Sequence, residues 1–541
     1  MTAILTLENV TISLPPGADR PQALSEVSLE VRRGEVLCVV GESGSGKSMT
    51  ANAVMRLLPH GVAIGGGRIM FDGQDLAKST EAQMRRIRGA RLAMIFQEPM
   101  TALNPLRTIG DQIGEMFRIH SDLGRGEIAE KVLALLTEVR IPDPAQAMRA
   151  YPHELSGGQR QRAMIAMALA LDPAVLIADE PTTALDVTTQ AQILALIRDL
   201  QRRKGTAVLF ITHDFGVVRE IADRVAVMQN GRVVEQGAVA QVLDAPVHPY
   251  TRQLISAVPP LSTPPARPTS DEIILRMEHV SKTYRKRSLF GRTSRTTHAV
   301  KEVSLTLARG STLGIVGESG SGKSTLARCI VRLVEPDAGA IKLGDLDLLT
   351  LSRSEMRAER HRVQMVFQDP FGSLNPRRRA GDLVAQGLIA RQMPKVEAMA
   401  RAKELFELVG LDPRGIDRFP HEFSGGQRQR IGLARALALS PQVLVADEPV
   451  SALDVSVQAQ VLALLGELRT KLGLSTVFIT HDLRVAAQVC DVVAVMKAGV
   501  VVEYGPISAV FGAPSHPYTQ ALLDSVPGRS PIQRPVRVGG H

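Results

Sequence analysis

At 541 residues the chain is too long for one hydrophobic core, so two to four domains are expected. With 44% hydrophobic and 22% charged residues it is not a disordered polymer. The net charge of +9 reads as an Arg-rich solvated surface and by itself calls for neither nucleic acid nor anionic lipid. A bilayer span needs roughly 18–20 apolar residues, and the longest candidate, Ala163 to Ala178, is broken by Asp172 and Pro173. The opening MTAILTLENVTISL has no basic flank and no A-x-A site, so no secretory signal is expected and the chain should stay in the cytoplasm. Cys38, Cys329 and Cys490 lie far apart in apolar surroundings, as buried structural cysteines do in a reducing compartment.

In chain order, the apolar run Val36–Val40 reads as a buried strand. It opens into Gly41-Glu42-Ser43-Gly44-Ser45-Gly46-Lys47-Ser48, and a helix-like segment follows. This is the G-x-x-x-x-G-K-S pattern. Its glycines let successive N–H groups converge on phosphate oxygens, and the helix N-terminus adds its positive end. Lys47 is suited to the β- and γ-phosphates and the Ser48 hydroxyl to Mg²⁺. Gln97 follows, then Leu103-Asn104-Pro105, then Ser156-Gly157-Gly158-Gln159 at a predicted helix start. Val175–Ala178 reads as a second buried strand, with Asp179 and Glu180 at its tip. An aspartate there can hold the Mg²⁺ shell and the adjacent glutamate can polarise an attacking water. Asp186 comes next, then the strand Ala207–Ile211, His213, and a segment containing His248-Pro249-Tyr250-Thr251.

Nearly the same series then recurs. The loop returns as Gly317-Glu318-Ser319-Gly320-Ser321-Gly322-Lys323-Ser324 after Leu313–Val316. Gln368, Leu374-Asn375-Pro376, Ser424-Gly425-Gly426-Gln427, Val443–Ala446, Asp447, Glu448, Asp454, Thr476–Ile479, His481 and His516-Pro517-Tyr518-Thr519 complete it. The offset between copies is 276 at the glycine loop, 271 at Gln97 and Gln368, and 268 from the Ser-Gly-Gly-Gln segment onward. The catalytic frame is therefore constant in length and the insert before it is not. Strands alternating with helices predict a mostly parallel sheet with helices on both faces. The Pro-rich stretch around Pro259–Ser270 reads as an extended linker, which divides the chain into a domain over 1–259, a linker over 260–271 and a domain over 272–541.

These motifs, with LSGGQ at Leu155–Gln159 and FSGGQ at Phe423–Gln427, resemble the ATP-binding-cassette (ABC) ATPases over nearly the whole chain. The resemblance implies an α/β fold of two tandem P-loop (RecA-like) nucleotide-binding domains, each with a helical insert. It implies that ATP is sandwiched between the loop of one module and the Ser-Gly-Gly-Gln segment of the other. It adds His213 and His481 as γ-phosphate contacts, Gln97 and Gln368 as ligands of nucleotide and Mg²⁺, and Asp186 and Asp454 as links between sites. Both copies keep every one of these residues, so two hydrolytic sites are expected. One departure stands out: Tyr284 matches the adenine-stacking aromatic of the family, whereas its counterpart in the first half is Leu14. Six extra residues in the second half fall near the basic loop Arg285–Arg295, which reads as a solvated excursion.

The segments Ala245–Pro259 and Ala513–Pro527 look like the C-terminal motif of the oligopeptide/dipeptide importer ATPases. The two modules in one chain resemble glutathione- and peptide-importing members. That resemblance implies two integral-membrane permeases, an extracytoplasmic solute-binding protein and a peripheral position on the cytoplasmic face of the inner membrane, with no nucleic-acid partner. The Cys-rich tail of many such ATPases is lacking, so no iron–sulfur cluster is expected. A soluble tandem ATPase acting on ribosomes or nucleic acid, or an exporter ATPase, are the alternative readings of the catalytic motifs.

Overall fold

The computed structural model describes residues 2–18, 20–182, 185–261, 270–287, 293–451 and 453–528. Chain contacts divide it near Val258 into two compact units. In the first, the elements run β1 (Ala3–Ser13), β2 (Gln22–Arg32), β3 (Val36–Val40), α1 (Lys47–Met55), β4 (Ala63–Phe71), β5 (Gln74–Asp75), α2 (Glu81–Ile87) and β6 (Leu92–Ile95). Helices α3 (Pro99–Ala102), α4 (Ile109–His120), α5 (Arg125–Glu138), α6 (Pro144–Arg149) and α7 (Gly157–Leu169) form the insert. Then come β7 (Val175–Asp179), α8 (Val187–Lys204), β8 (Ala207–Ile211), α9 (Phe215–Ile221), β9 (Arg224–Gln229), β10 (Arg232–Ala238), α10 (Val239–Asp244) and α11 (Pro249–Ser256).

The central sheet has the order β10-β9-β3-β8-β7-β6, parallel except for the β9–β10 hairpin. Strands β3, β6, β7 and β8 are buried throughout, so they are nearly unbroken apolar runs such as Val-Leu-Cys-Val-Val in β3. Side chains alternate between two cores, as a pleat of period two requires. Val36, Cys38, Val40, Leu176, Ala178, Val208 and Phe210 face the helices of the insert and α8–α11. Leu37, Val39, Val175, Ile177, Leu209 and Ile211 face α1 and a second, antiparallel sheet of order β2-β1-β4-β5. The alternating strands and helices do not announce that antiparallel layer; helices cover one face, and on the other α1 shares the cover with the sheet.

The second unit repeats this plan. Its sheets are Thr312–Val316 flanked by Ser475–Thr480 and Val492–Lys497, and the antiparallel Ile273–Arg287, Thr293–Ala308, Ala338–Leu343 and Leu346–Asp347. The drift in length has a structural address. The counterpart of the nine-residue β4 is the six-residue Ala338–Leu343, and α6 gives way to a 3₁₀ turn at Pro413–Asp417. Among the described residues no helix is long and apolar enough to cross a membrane. Residues 262–269 of the expected linker and 288–292 of the basic loop lie outside the described residues.

Candidate functional site

In each unit a central strand ends in the glycine loop. Gly41 has φ +154°, and a Cβ there would lie 2.3 Å from the Met228 carbonyl; at Gly317 (φ +148°) it would lie 2.2 Å from that of Met496. Only glycine fits so close an approach of two backbones. Lys47 Nζ donates to the carbonyls of Gly41 at 2.7 Å and Glu42 at 2.8 Å, and Lys323 makes the same pair to Gly317 and Glu318. Burial holds the Lys323 ammonium below its ordinary value, although acidic neighbours oppose this. The hydroxyls of Ser45 and Ser321 are buried without a hydrogen-bond partner among the described residues. A loop of N–H groups, a helix N-terminus, a buried ammonium and an orphan hydroxyl together suit a phosphate.

Beside the loop, Ser48 Oγ donates to Asp179 Oδ1 at 3.0 Å, and Ser324 Oγ to Asp447 Oδ1 at 3.0 Å. Burial pushes the Asp179 carboxyl up to about 6, against the Ser48 hydrogen bond, and pushes Asp447 in the same direction. A hydroxyl and a buried carboxylate are hard oxygen donors of the kind Mg²⁺ takes, and a dication would relieve the cost of burying that charge. The donor set fits the ion.

Glu180 and Glu448 follow with φ +46°, a left-handed conformation that costs a non-glycine residue on the order of 1–3 kcal/mol. Their N–H groups are held by the carbonyls of Ile211 and Ile479, each at 3.0 Å. The carboxylate of Glu180 meets Gln97 Nε2 at 2.9 Å and His213 Nδ1 at 3.1 Å. That of Glu448 meets Gln368 Nε2 at 2.8 Å and His481 Nδ1 at 3.2 Å. Burial pushes Glu448 up and His481 down, but their mutual contact outweighs both, so the carboxyl lies below and the imidazole above its ordinary range.

Ser156 caps α7, accepting from Gln159 N–H at 3.3 Å while Gln159 Oε1 accepts from Ser156 N–H at 2.9 Å; Ser424 and Gln427 do the same for the helix Gly425–Leu437. Gly158 packs toward Thr189 and Gly426 toward Val457. Asp186 accepts from the Thr188 hydroxyl at 2.7 Å, and Asp454 stands at the N-cap position of the helix Val455–Leu472.

Tyr284 is 42% exposed, with Lys282 Nζ 5.9 Å from its ring centre. Leu14 instead packs against the core under the antiparallel sheet. The first unit places Arg20 at the loop, Nη2 donating to the Gly44 carbonyl at 2.5 Å. Sequence reasoning missed Arg20, which lies in a turn of no periodicity where the copies diverge.

It also missed Tyr250 and Tyr518, using their motif as a mark of family resemblance. The motif starts a helix: His248 and His516 cap α11 and Pro517–Asp524 through Nδ1. The tyrosine hydroxyls go further and accept from the N–H of Glu42 and of Glu318, each at 3.2 Å.

Two P-loop α/β units, each with loop, serine–aspartate pair and Gln–Glu–His cluster, define a nucleotide-hydrolysing cassette, and the chain belongs to the ABC transporter family. The family described as "ABC transporter" matches residues 24–183 and 300–451. The one described as "Oligopeptide/dipeptide transporter, C-terminal region" matches 234–287 and 502–538. The chain is 47% identical to the glutathione import ATP-binding protein GsiA of Escherichia coli O157:H7, over 99% of this chain and 91% of the relative. The same figures hold for GsiA of Escherichia coli strain K12 and of Shigella flexneri.

Proposed function

We propose that this chain is the ATP-hydrolysing subunit of an ABC importer that energises uptake of short peptides or peptide-like solutes, glutathione among them, through partner permeases. The observation that carries this is the duplicated cluster in which a glutamate at a strand tip is held between a glutamine and a histidine beside a P-loop. The HPYT segments at the end of both modules, and the import function named for relatives that align along 91% of their length, favour an importer over an exporter or a ribosomal ATPase.

In this reading the loops Gly41–Ser48 and Gly317–Ser324 cradle the phosphates, and Lys47 and Lys323 leave their carbonyl partners for the β- and γ-phosphates. Ser48 with Asp179, and Ser324 with Asp447, would hold Mg²⁺, joined by Gln97 and Gln368. The ion, when bound, neutralises charge on the phosphate oxygens. Glu180 and Glu448 each take a proton from water as its oxygen bonds to the γ-phosphorus. The bond from that phosphorus to the bridging oxygen breaks, and ADP leaves with the electron pair. His213 and His481 contact the γ-phosphate and hold the glutamates in line. Ser156–Gln159 and Ser424–Gln427 each close on the nucleotide of the opposite module, and Asp186 and Asp454 carry the state of one site to the other. The ATPase stays peripheral at the cytoplasmic face, with two permeases above it and a solute-binding protein outside.

The test is reconstitution of the full chain with its permeases and binding protein in vesicles. Glutathione or a short peptide should accumulate only with ATP and wild-type glutamates. ATP hydrolysis that neither stimulates nor requires transport would sink the reading.

A further inference from the structure

The HPYT segments contribute something that a helix packed on the core does not require. Glu235 Oε1 accepts from Val247 N–H at 2.8 Å and Glu235 Oε2 from His248 N–H at 3.0 Å, which anchors the start of α11 to β10. His248 Nδ1 then accepts from Tyr250 N–H at 3.2 Å. The tyrosine thus presented is nearly buried, and its hydroxyl meets Glu42 twice, accepting from the backbone N–H at 3.2 Å and donating to Oε2 at 3.3 Å. The carbonyl of this same Glu42 holds Lys47 Nζ. The second unit repeats the chain of contacts. Glu503 accepts from Ser515 N–H at 2.8 Å and His516 N–H at 3.2 Å, His516 Nδ1 from Tyr518 N–H at 3.0 Å, and the Tyr518 hydroxyl from Glu318 N–H at 3.2 Å.

We propose that Tyr250 and Tyr518 are positioning residues of the nucleotide loops: through one hydroxyl each, the C-terminal helix of a module sets the path of Glu42 or Glu318, and so the place from which Lys47 or Lys323 reaches the phosphates. Three observations converge on this. The contact is made to the loop backbone, so it survives any choice of side chain at that loop position. It recurs in both units although they differ elsewhere in insert length and in the residue near adenine. And the tyrosine reaches the loop only because a histidine cap and a glutamate anchor hold α11 at one height. The three residues of His-Pro-Tyr thereby act together, since proline starts the helix, histidine caps it and tyrosine reads the loop. The inference rests on the reading that these loops bind ATP.

The test is the full-length double variant Tyr250→Phe/Tyr518→Phe, which keeps the ring packing and deletes only the hydroxyls. The hydroxyl's bond to the loop N–H, present at both sites, is a neutral hydrogen bond, so the Kd for ATP and the KM of the ATPase should rise roughly threefold to tenfold. At saturating ATP kcat should hold within twofold, a split that a merely structural role would not produce. Lys47→Ala/Lys323→Ala is measured beside it. A rise below threefold in the tyrosine variant, with binding abolished in the lysine variant, overturns the latch and leaves the nucleotide site standing. Normal ATP binding by the lysine variant overturns both. Should phenylalanine unfold the chain, Glu235→Ala/Glu503→Ala, which touches neither loop, carries the same test at the same threshold.

Discussion

Nδ1 of His481 lies 3.2 Å from Oε2 of Glu448, on a carboxylate that Gln368 also engages at 2.8 Å, and His213 with Gln97 frames Glu180 in the same way. Two elements far apart in sequence therefore hold each glutamate at a strained strand tip. The arrangement is the same in both units.

Symmetry of that kind makes a direct prediction for hydrolysis. Glu180→Gln and Glu448→Gln should each lower steady-state ATPase activity. The double variant should lose about 10²-fold or more, the usual weight of a positioned general base. Phosphate release at saturating ATP checks it; an unchanged rate in either single variant would refute two working sites.

The two units differ upstream of their glycine loops, with Tyr284 in the second where the first has Leu14. Removing the ring with Tyr284→Ala should weaken ATP at the second site roughly twofold to tenfold, the worth of a stacked aromatic. Arg20→Ala should act only on the first site, where the guanidinium anchors on Gly44 and presents a plane that stacks on aromatic faces. Titrations in Lys47→Ala and Lys323→Ala backgrounds separate the two sites.

The glycine loops and the Ser-Gly-Gly-Gln helices should respond to alanine very differently. At Gly41 and Gly317 the new Cβ meets backbone carbonyls at 2.3 and 2.2 Å and φ is positive, so a cost on the order of 1–3 kcal/mol and loss of ATP binding are expected. Gly426→Ala meets Val457 Cγ1 at 2.2 Å, a stiff β-branched side chain, whereas Gly158→Ala meets Thr189 Cγ2 at 2.9 Å. The former should destabilise more; urea unfolding of the two variants decides.

The anchors of the C-terminal helices titrate. Burial pushes the carboxyls of Glu235 and Glu503 up, but the side chains of Thr251 and Thr519, with the amides of Val247 and His248 and of Ser515 and His516, outweigh it, so both lie below the ordinary 4.5. A folded pKa lowered this way gives stability that is present above pH 4.5 and lost as the pH falls through the folded value. Melting temperatures of wild type and Glu235→Gln/Glu503→Gln should differ most near neutral pH and converge in acid. A difference that grows on acidification would contradict the anchor.

Much of this molecule is determined by sequence alone, because its chemistry is local and written twice. A glycine loop after an apolar run, a serine and glutamine spaced as a helix cap, and an aspartate–glutamate pair ending a strand each need only a few neighbouring residues, and all appear at the elements expected. The tertiary structure alone decides what depends on distance along the chain. The antiparallel layer over one face of the sheet is invisible because β1 and β2, eleven-residue segments of alternating burial, carry no signature of which strand they pair with or which sheet they cover. Gln97 and His213 meet Glu180 across 83 and 33 residues, and Tyr250 meets Glu42 across 208. No periodicity records such a contact; only the folding of a parallel sheet, which carries the ends of distant strands to one edge, brings those side chains together.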